Sequence, residues 1–129
     1  MISNPKLKIL HLTSHLNVGG ITRYIQLLGK VMAERGHKIA VASGGGTLEA
    51  EFGRDRLKTY LFPIHKKSII DPSLYSSLSK ITQLVQADKY DVLHAHTRVT
   101  QALASFLGRK AKVPVVTTCH GYFKPNLGR

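Results

Sequence analysis

The sequence predicts an α/β domain: a parallel sheet of about five strands, wound in both directions from a central strand. Three observations carry that expectation. Short apolar runs alternate along the chain with segments whose apolar residues recur every three or four positions. Glycine or proline marks most of the junctions between them. The stretch from Leu7 to Leu28, LKILHLTSHLNVGGITRYIQLL, reads in order as strand, glycine turn and helix.

Each element follows from its own residues. Leu7 to Leu12 alternates apolar and polar side chains, as a strand does. After Gly19-Gly20, apolar residues at Ile21, Tyr24, Ile25, Leu28 and Val31 or Met32 put one stripe along a helix. That helix runs to about Arg35, with Gly36 as its C′ residue. Lys38 to Ser43 is the second strand and ends in Gly44-Gly45-Gly46, after which Thr47 can cap a short helix. Lys58 to Phe62 is the third strand, stopped by Pro63. Ile64 to Ile70 is a loop. Asp71-Pro72 starts a helix whose apolar face is Leu74, Leu78, Ile81 and Val85. Asp91 to Ala95 is the fourth strand. Val99, Ala102, Leu103, Phe106 and Leu107 mark a helix ending at Gly108, and Val113 to Thr118 is the fifth strand. Alternation of this kind implies right-handed crossovers and the sheet order 3-2-1-4-5.

Composition narrows the class. The chain has 129 residues, enough for one domain with a core. It holds one cysteine, so no internal disulfide is available, and the expectation is a cytoplasmic protein. No apolar run reaches the length of a membrane span. Nineteen Lys and Arg against seven Asp and Glu leave a net charge of +12. Such a field attracts polyanions, phosphorylated substrates or anionic membrane. The basic residues are scattered and not interleaved with aromatics, so no specific nucleic-acid platform is expected.

In a sheet of this order, ligands bind beyond the carboxyl ends of the strands, where winding reverses. The loops after strands one, four and five should therefore meet: Thr13 to Gly20, His94 to Arg98 and Cys119 to Phe123. The free N–H groups at a helix N-terminus after Gly19-Gly20 suit a phosphate, although the glycines could equally serve a tight connection alone. The dinucleotide fingerprint G-x-G-x-x-G and the Walker loop are both absent, and Ser43-Gly44 stands where an acidic ribose ligand would be. His94 and His96, two apart, face one side of a strand. A metal site could be drawn from them with Cys119 and His120, but no carboxylate joins and the spacing fits no zinc pattern, so no metal is expected. Cys119 as a nucleophile lacks a third group to orient a base. His94 reads as a buried histidine whose ring bonds a backbone carbonyl. His96, Arg98 and His120 are expected nearer the mouth of the crevice.

Three segments in order, GGITRYIQLLGKVMAERGHKIAVAS, DVLHAHTR and VPVVTTCHGY, resemble the N-terminal half of a retaining GT-B glycosyltransferase of family 4. The likeness runs from about Leu7 to Tyr122. It implies a Rossmann-like domain, residues 1–129, as one half of a GT-B fold, without the second domain that binds most of the donor. By that resemblance Gly19, Gly20 and Ile21 lie near the diphosphate of a nucleotide-sugar donor, and His120 lies near the transferred sugar. His96, Arg98, Lys66 and Lys67 are candidates for holding an anionic acceptor such as a glycolipid or lipopolysaccharide precursor, with surface solvation as the competing reading for the two lysines. No metal or other cofactor is implied. Peripheral contact with the inner face of an anionic membrane is a further expectation. The competing class is a non-catalytic basic module that binds phosphorylated ligands or anionic surfaces.

Overall fold

The computed structural model describes residues 5–64 and 72–120. Nine elements follow one another: β1 (Lys8–Leu12), α1 (Gly20–Glu34), β2 (Lys38–Ser43), α2 (Glu49–Arg54), β3 (Lys58–Leu61), α3 (Pro72–Ala87), β4 (Val92–Ala95), α4 (Arg98–Ala111) and β5 (Val115–Thr117). The strands form one parallel sheet in the order β3-β2-β1-β4-β5. This is the doubly wound arrangement that the alternating pattern predicts, with reversal between β1 and β4.

Both faces of the sheet are covered. Leu10 and Leu12 of β1, Ala40 and Ala42 of β2 and Leu93 of β4 pack with Ile81 and Val85 of α3 and with Leu103 and Leu107 of α4. On the other face Ile9, Ile39 and Val41 pack with Ile25 of α1 and Phe52 of α2. Leu10, Leu12 and Leu93 are fully buried, and each such side chain contributes about 1.5–3 kcal/mol. Helix α1 ends as its sequence suggests. Gly36 takes φ 94°, its N–H donates to Ala33 O, and the His37 N–H donates to Met32 O. Those bonds satisfy the last carbonyls of the helix in a Schellman motif.

Several element details differ from expectation. Helix α2 is entered from Leu48, with no side-chain cap, because a tight turn bonds the Glu49 N–H to Gly46 O and buries Leu48. Thr47 therefore does not cap it. In α4 the buried arc is Thr100, Leu103, Ala104, Leu107 and Gly108, while Phe106 is half exposed under Lys110. The phase is set by a capping box: Thr97 Oγ1 accepts from the Thr100 N–H, and Thr100 Oγ1 accepts from the Thr97 N–H. A buried threonine is tolerated because its hydroxyl also donates to Thr97 O. Nor does α4 stop at Gly108. That glycine is the contact point with β5, since a Cβ there would meet Val115 Cγ2 at 2.5 Å. The helix continues to a left-handed Lys112 at φ 58°. Among the described residues no helix is long and apolar enough to cross a membrane.

Candidate functional site

The carboxyl edge is assembled by main-chain bonds between loops. After β1, the Thr13 N–H donates to Ala42 O and the Leu16 N–H to Gly45 O, while the Gly44 N–H returns to Ser14 O. The β1 and β2 loops are thereby laced together. At Gly46 a Cβ would lie 2.4 Å from the Leu16 carbonyl carbon, so only glycine fits. Ser14 Oγ donates to Thr97 Oγ1 at 3.0 Å, which ties the β1 loop to the cap of α4.

Helix α1 begins at this edge without a side-chain cap and with no acidic residue in its first turn. Its first N–H groups and the positive end of its dipole face outward. Gly19 is extended, at φ 165°, and a Cβ at Gly20 would meet nothing within 4 Å. Neither glycine is required by the turn or by packing; what they keep open is the space in front of the helix. A cavity of about 270 Å³ occupies it, lined by residues that include Thr13, Gly19, Gly20, Ile21 and Thr97.

Beside this cavity lies a group of histidines. His11 of β1 is the register partner of His94 in β4, so the two share a face, and His96 follows on the same side. His11 Nδ1 is 2.8 Å from His96 Nε2, and His96 Nδ1 is 2.9 Å from His120 Nε2. His94 stacks on His96 with ring centroids 4.1 Å apart, and its Nε2 is 2.6 Å from Thr118 Oγ1. Tyr24 of α1 meets His120 edge-on at 4.8 Å. Two of these histidines are sealed: His11 is 1% exposed and His96 is 2% exposed. Burial, with His94 nearby, pushes His11 down to about 3. Burial and the neighbouring imidazoles push His96 to about 2. His94 is also lowered, by burial and then by His120. All three are neutral near pH 7.

The structure brings together most of the residues expected here. Gly19, Gly20 and Ile21 line the cavity, His120 and His96 are bonded to one another, and Tyr24 spans from α1 to both rings. Arg98 is the exposed first residue of α4, next to Thr97 of the cavity wall. Two placements are corrected. His96 is buried behind His120 and does not stand at the mouth, because its N–H continues the strand pairing to Leu12 O. His94 bonds a threonine hydroxyl and not a backbone carbonyl. Lys66, Lys67, Gly121, Tyr122 and Phe123 lie outside the described residues. His11, Tyr24 and Thr118 were not anticipated, and Thr97 lay within the expected loop His94 to Arg98 without being singled out. The register of His11 with His94 was the signal for the first, and an aromatic one turn into α1 for the second.

The ring nitrogens of His11, His94 and His96 come within 4.8 Å of one another, a spacing that invites a metal. His11 and His96 aim nitrogens at each other at 2.8 Å, and His94 lies stacked on His96.

Residues 18–129 match the profile of Glycosyltransferase Family 4. The chain is 28% identical over 121 residues to the N-acetyl-alpha-D-glucosaminyl L-malate synthase of Bacillus anthracis, covering 90% of this chain and 32% of that protein. Among solved structures it superposes on a glycosyltransferase from Rickettsia africae ESF-5 with a TM-score of 0.76 and 23% identity, over 95% of this chain and 32% of the other. It also superposes on the Anabaena protein HepE, crystallised with UDP and glucose, with a TM-score of 0.73 and 19% identity, over 92% of this chain and 31% of the other. The chain thus spans about a third of the length of each of these three proteins.

Proposed function

The chain belongs to Glycosyltransferase Family 4, and from that premise we propose that it is the acceptor-side half of a retaining enzyme that transfers a sugar from a nucleotide-sugar donor to a hydroxyl acceptor. The observation that carries the reading is the carboxyl edge itself: an uncapped helix N-terminus, kept clear by Gly19 and Gly20, beside a histidine held in place by a second histidine. In the reaction the anomeric carbon exchanges its bond to a phosphate oxygen for one to the acceptor oxygen. The electron pair leaves on the diphosphate, which also takes the acceptor's proton. Charge therefore develops on the diphosphate, where preorganised N–H groups and a helix dipole act most strongly. Gly20 and Ile21 present such groups. His120 positions the sugar. A second domain, following this one, contributes the rest of the donor site.

The acceptor is an anionic hydroxyl compound, with Arg98, Lys66 and Lys67 as its candidate ligands. The net charge of +12 supports that class, and so does the Bacillus anthracis relative, whose name contains malate, a hydroxy acid. A glycolipid at an anionic membrane surface is the larger member of the same class. The glucose and UDP in the HepE complex support a uridine-linked donor. No metal is required in this scheme. The test joins this chain to a donor-binding domain and supplies radiolabelled UDP-sugars with malate or a phosphorylated glycolipid. Transfer to either acceptor is the expected result. Tight binding of nucleotide sugars without transfer to any hydroxyl would instead favour a binding module.

A further inference from the structure

The bonds among the histidines form a line. It begins at His11, deep against the sheet, passes through both nitrogens of His96 and ends on Nε2 of His120. A neutral imidazole has one nitrogen that donates and one that accepts. Fixing the proton at one end of the line therefore fixes it along the whole of it. Two arrangements exist. In one, His11 carries its proton on Nδ1 and donates outward; in the other, it carries the proton on Nε2 and every bond runs inward.

The buried end decides between them. His11 Nε2 is fully enclosed and has no hydrogen-bond partner. The inward arrangement strands an N–H at that atom, whereas the outward one leaves only a bare lone pair there. Stranded buried N–H groups are the rarer and costlier of the two in folded proteins. Charging the line to escape the choice is closed off, because burial holds both inner rings neutral.

We propose that His11 and His96 are positioning residues: they hold His120 as its Nδ1–H tautomer, turned so that this N–H donates to an oxygen of the bound sugar. The two nitrogens of an imidazole diverge widely, so bonding Nε2 inward turns Nδ1 away from the sheet. Tyr24, edge-on against His120, limits rotation of the ring. The same logic holds catalytic histidines elsewhere, where a buried partner selects the tautomer without touching substrate. The tautomer rests on the geometry and burial of the line; the sugar as recipient of the bond rests on the proposed transferase function.

The test separates the two. Long-range proton–nitrogen correlations on the 15N-histidine-labelled chain near neutral pH report which nitrogen of each ring is protonated. The relay predicts protonated Nδ1 and bare Nε2 for His11, His96 and His120. A His120 that carries its proton on Nε2 overturns it, whatever the enzyme does. His96→Phe keeps the stacked ring and removes both nitrogens, and His120 should then return to the Nε2–H form favoured by an unrestrained side chain. An unchanged His120 spectrum in folded His96→Phe also overturns the proposal. Should that variant fail to fold, the wild-type spectrum decides alone. In a chain joined to a donor-binding domain, His96→Phe should lower kcat by up to about a hundredfold with little change in donor KM, as misplacement of a positioned group does. Loss of stability with normal kcat in the folded fraction would reduce His96 to a packing residue and overturn the positioning role. If the wild-type joined enzyme transfers no sugar at all, the function fails, and the spectrum still judges the tautomer.

Discussion

The two edges of the sheet carry opposite solutions to the same electrostatic problem. At the amino edge the strands β1, β2 and β3 open on Lys8, Lys38 and Lys58, and α1 and α3 end nearby. Lys6 Nζ donates to Arg35 O, the cap of α1, at 2.7 Å, and Lys8 Nζ donates to Asp88 O beyond α3. Lys8 and Lys58 also lie over the rings of Tyr90 and Tyr60. Cations there answer the negative helix ends. At the carboxyl edge α1 begins, and its own first turn carries no acidic residue. The amino edge has the larger cavity, about 470 Å³ against about 270 Å³. Several of its polar groups are paired with one another: Tyr60 donates to Asp88 at 3.2 Å, and burial and the Tyr60 hydroxyl push the Tyr90 phenol up. The proposed site rests on an uncapped helix start beside open space, and not on cavity volume.

The largest expected effect separates the edges by pH. His11 and His96 have folded pKa values near 3 and 2, below the unfolded value of 6.5. Below pH 6.5 the unfolded chain binds protons that the folded chain refuses, so stability is present above that value and is lost as pH falls. Each of the two groups removes roughly 1.4 kcal/mol per pH unit once well below 6.5. Denaturant melts should show a slope that grows below pH 6.5 to about two protons from these two rings, with His94 adding to it, and His11→Phe should lower it by about one. A flat profile would mean that these rings are charged or wet.

Next in size is the chemistry. In a chain joined to a donor-binding domain, His120→Ala should cost about 3 kcal/mol of transition-state stabilisation, a hundredfold or more in kcat. Tyr60→Phe at the amino edge should leave kcat unchanged. Equal losses at both edges in steady-state kinetics would erase the distinction drawn between them.

How much of this could be read from residues varies with position in the sheet. The strand order was legible because each strand run and each helix period is separate, and crossover handedness leaves few alternatives. The loops of the site were legible from that order. His11 was not. The run LKILHL alternates, which suggests one wet face, yet β1 is central and covered on both sides, so its polar position is buried. Alternation reports side-chain direction, and only sheet position says what lies there. Tyr24 was read as part of the apolar stripe of α1, but the buried residues there are Thr22, Ile25 and Gly29, which leaves Tyr24 at the edge against His120. The phase of α4 was missed because two threonines set it through hydrogen bonds that apolar spacing does not report.

A smaller effect tests the amino edge on its own terms. Lys6→Ala removes the cation on the last carbonyl of α1. Thermal melts should show a loss of about 0.3–1 kcal/mol, shrinking in high salt. A salt-independent loss would point to packing of the lysine stem on Gly36 instead.

The central claim is that Gly20 is glycine for the sake of a ligand and not for the fold. Gly20→Val in a chain joined to a donor-binding domain tests it in one preparation, by melting temperature and by sugar transfer. A Cβ at Gly20 meets open space, whereas one at Gly46 meets the backbone of Leu16 and Asn17. Gly20→Val should melt within a few degrees of the wild type and lose most of its transfer activity, while Gly46→Ala should lose stability first. A Gly20→Val protein that is equally stable and equally active would show that nothing approaches the start of α1 and would contradict the placement of the donor diphosphate there.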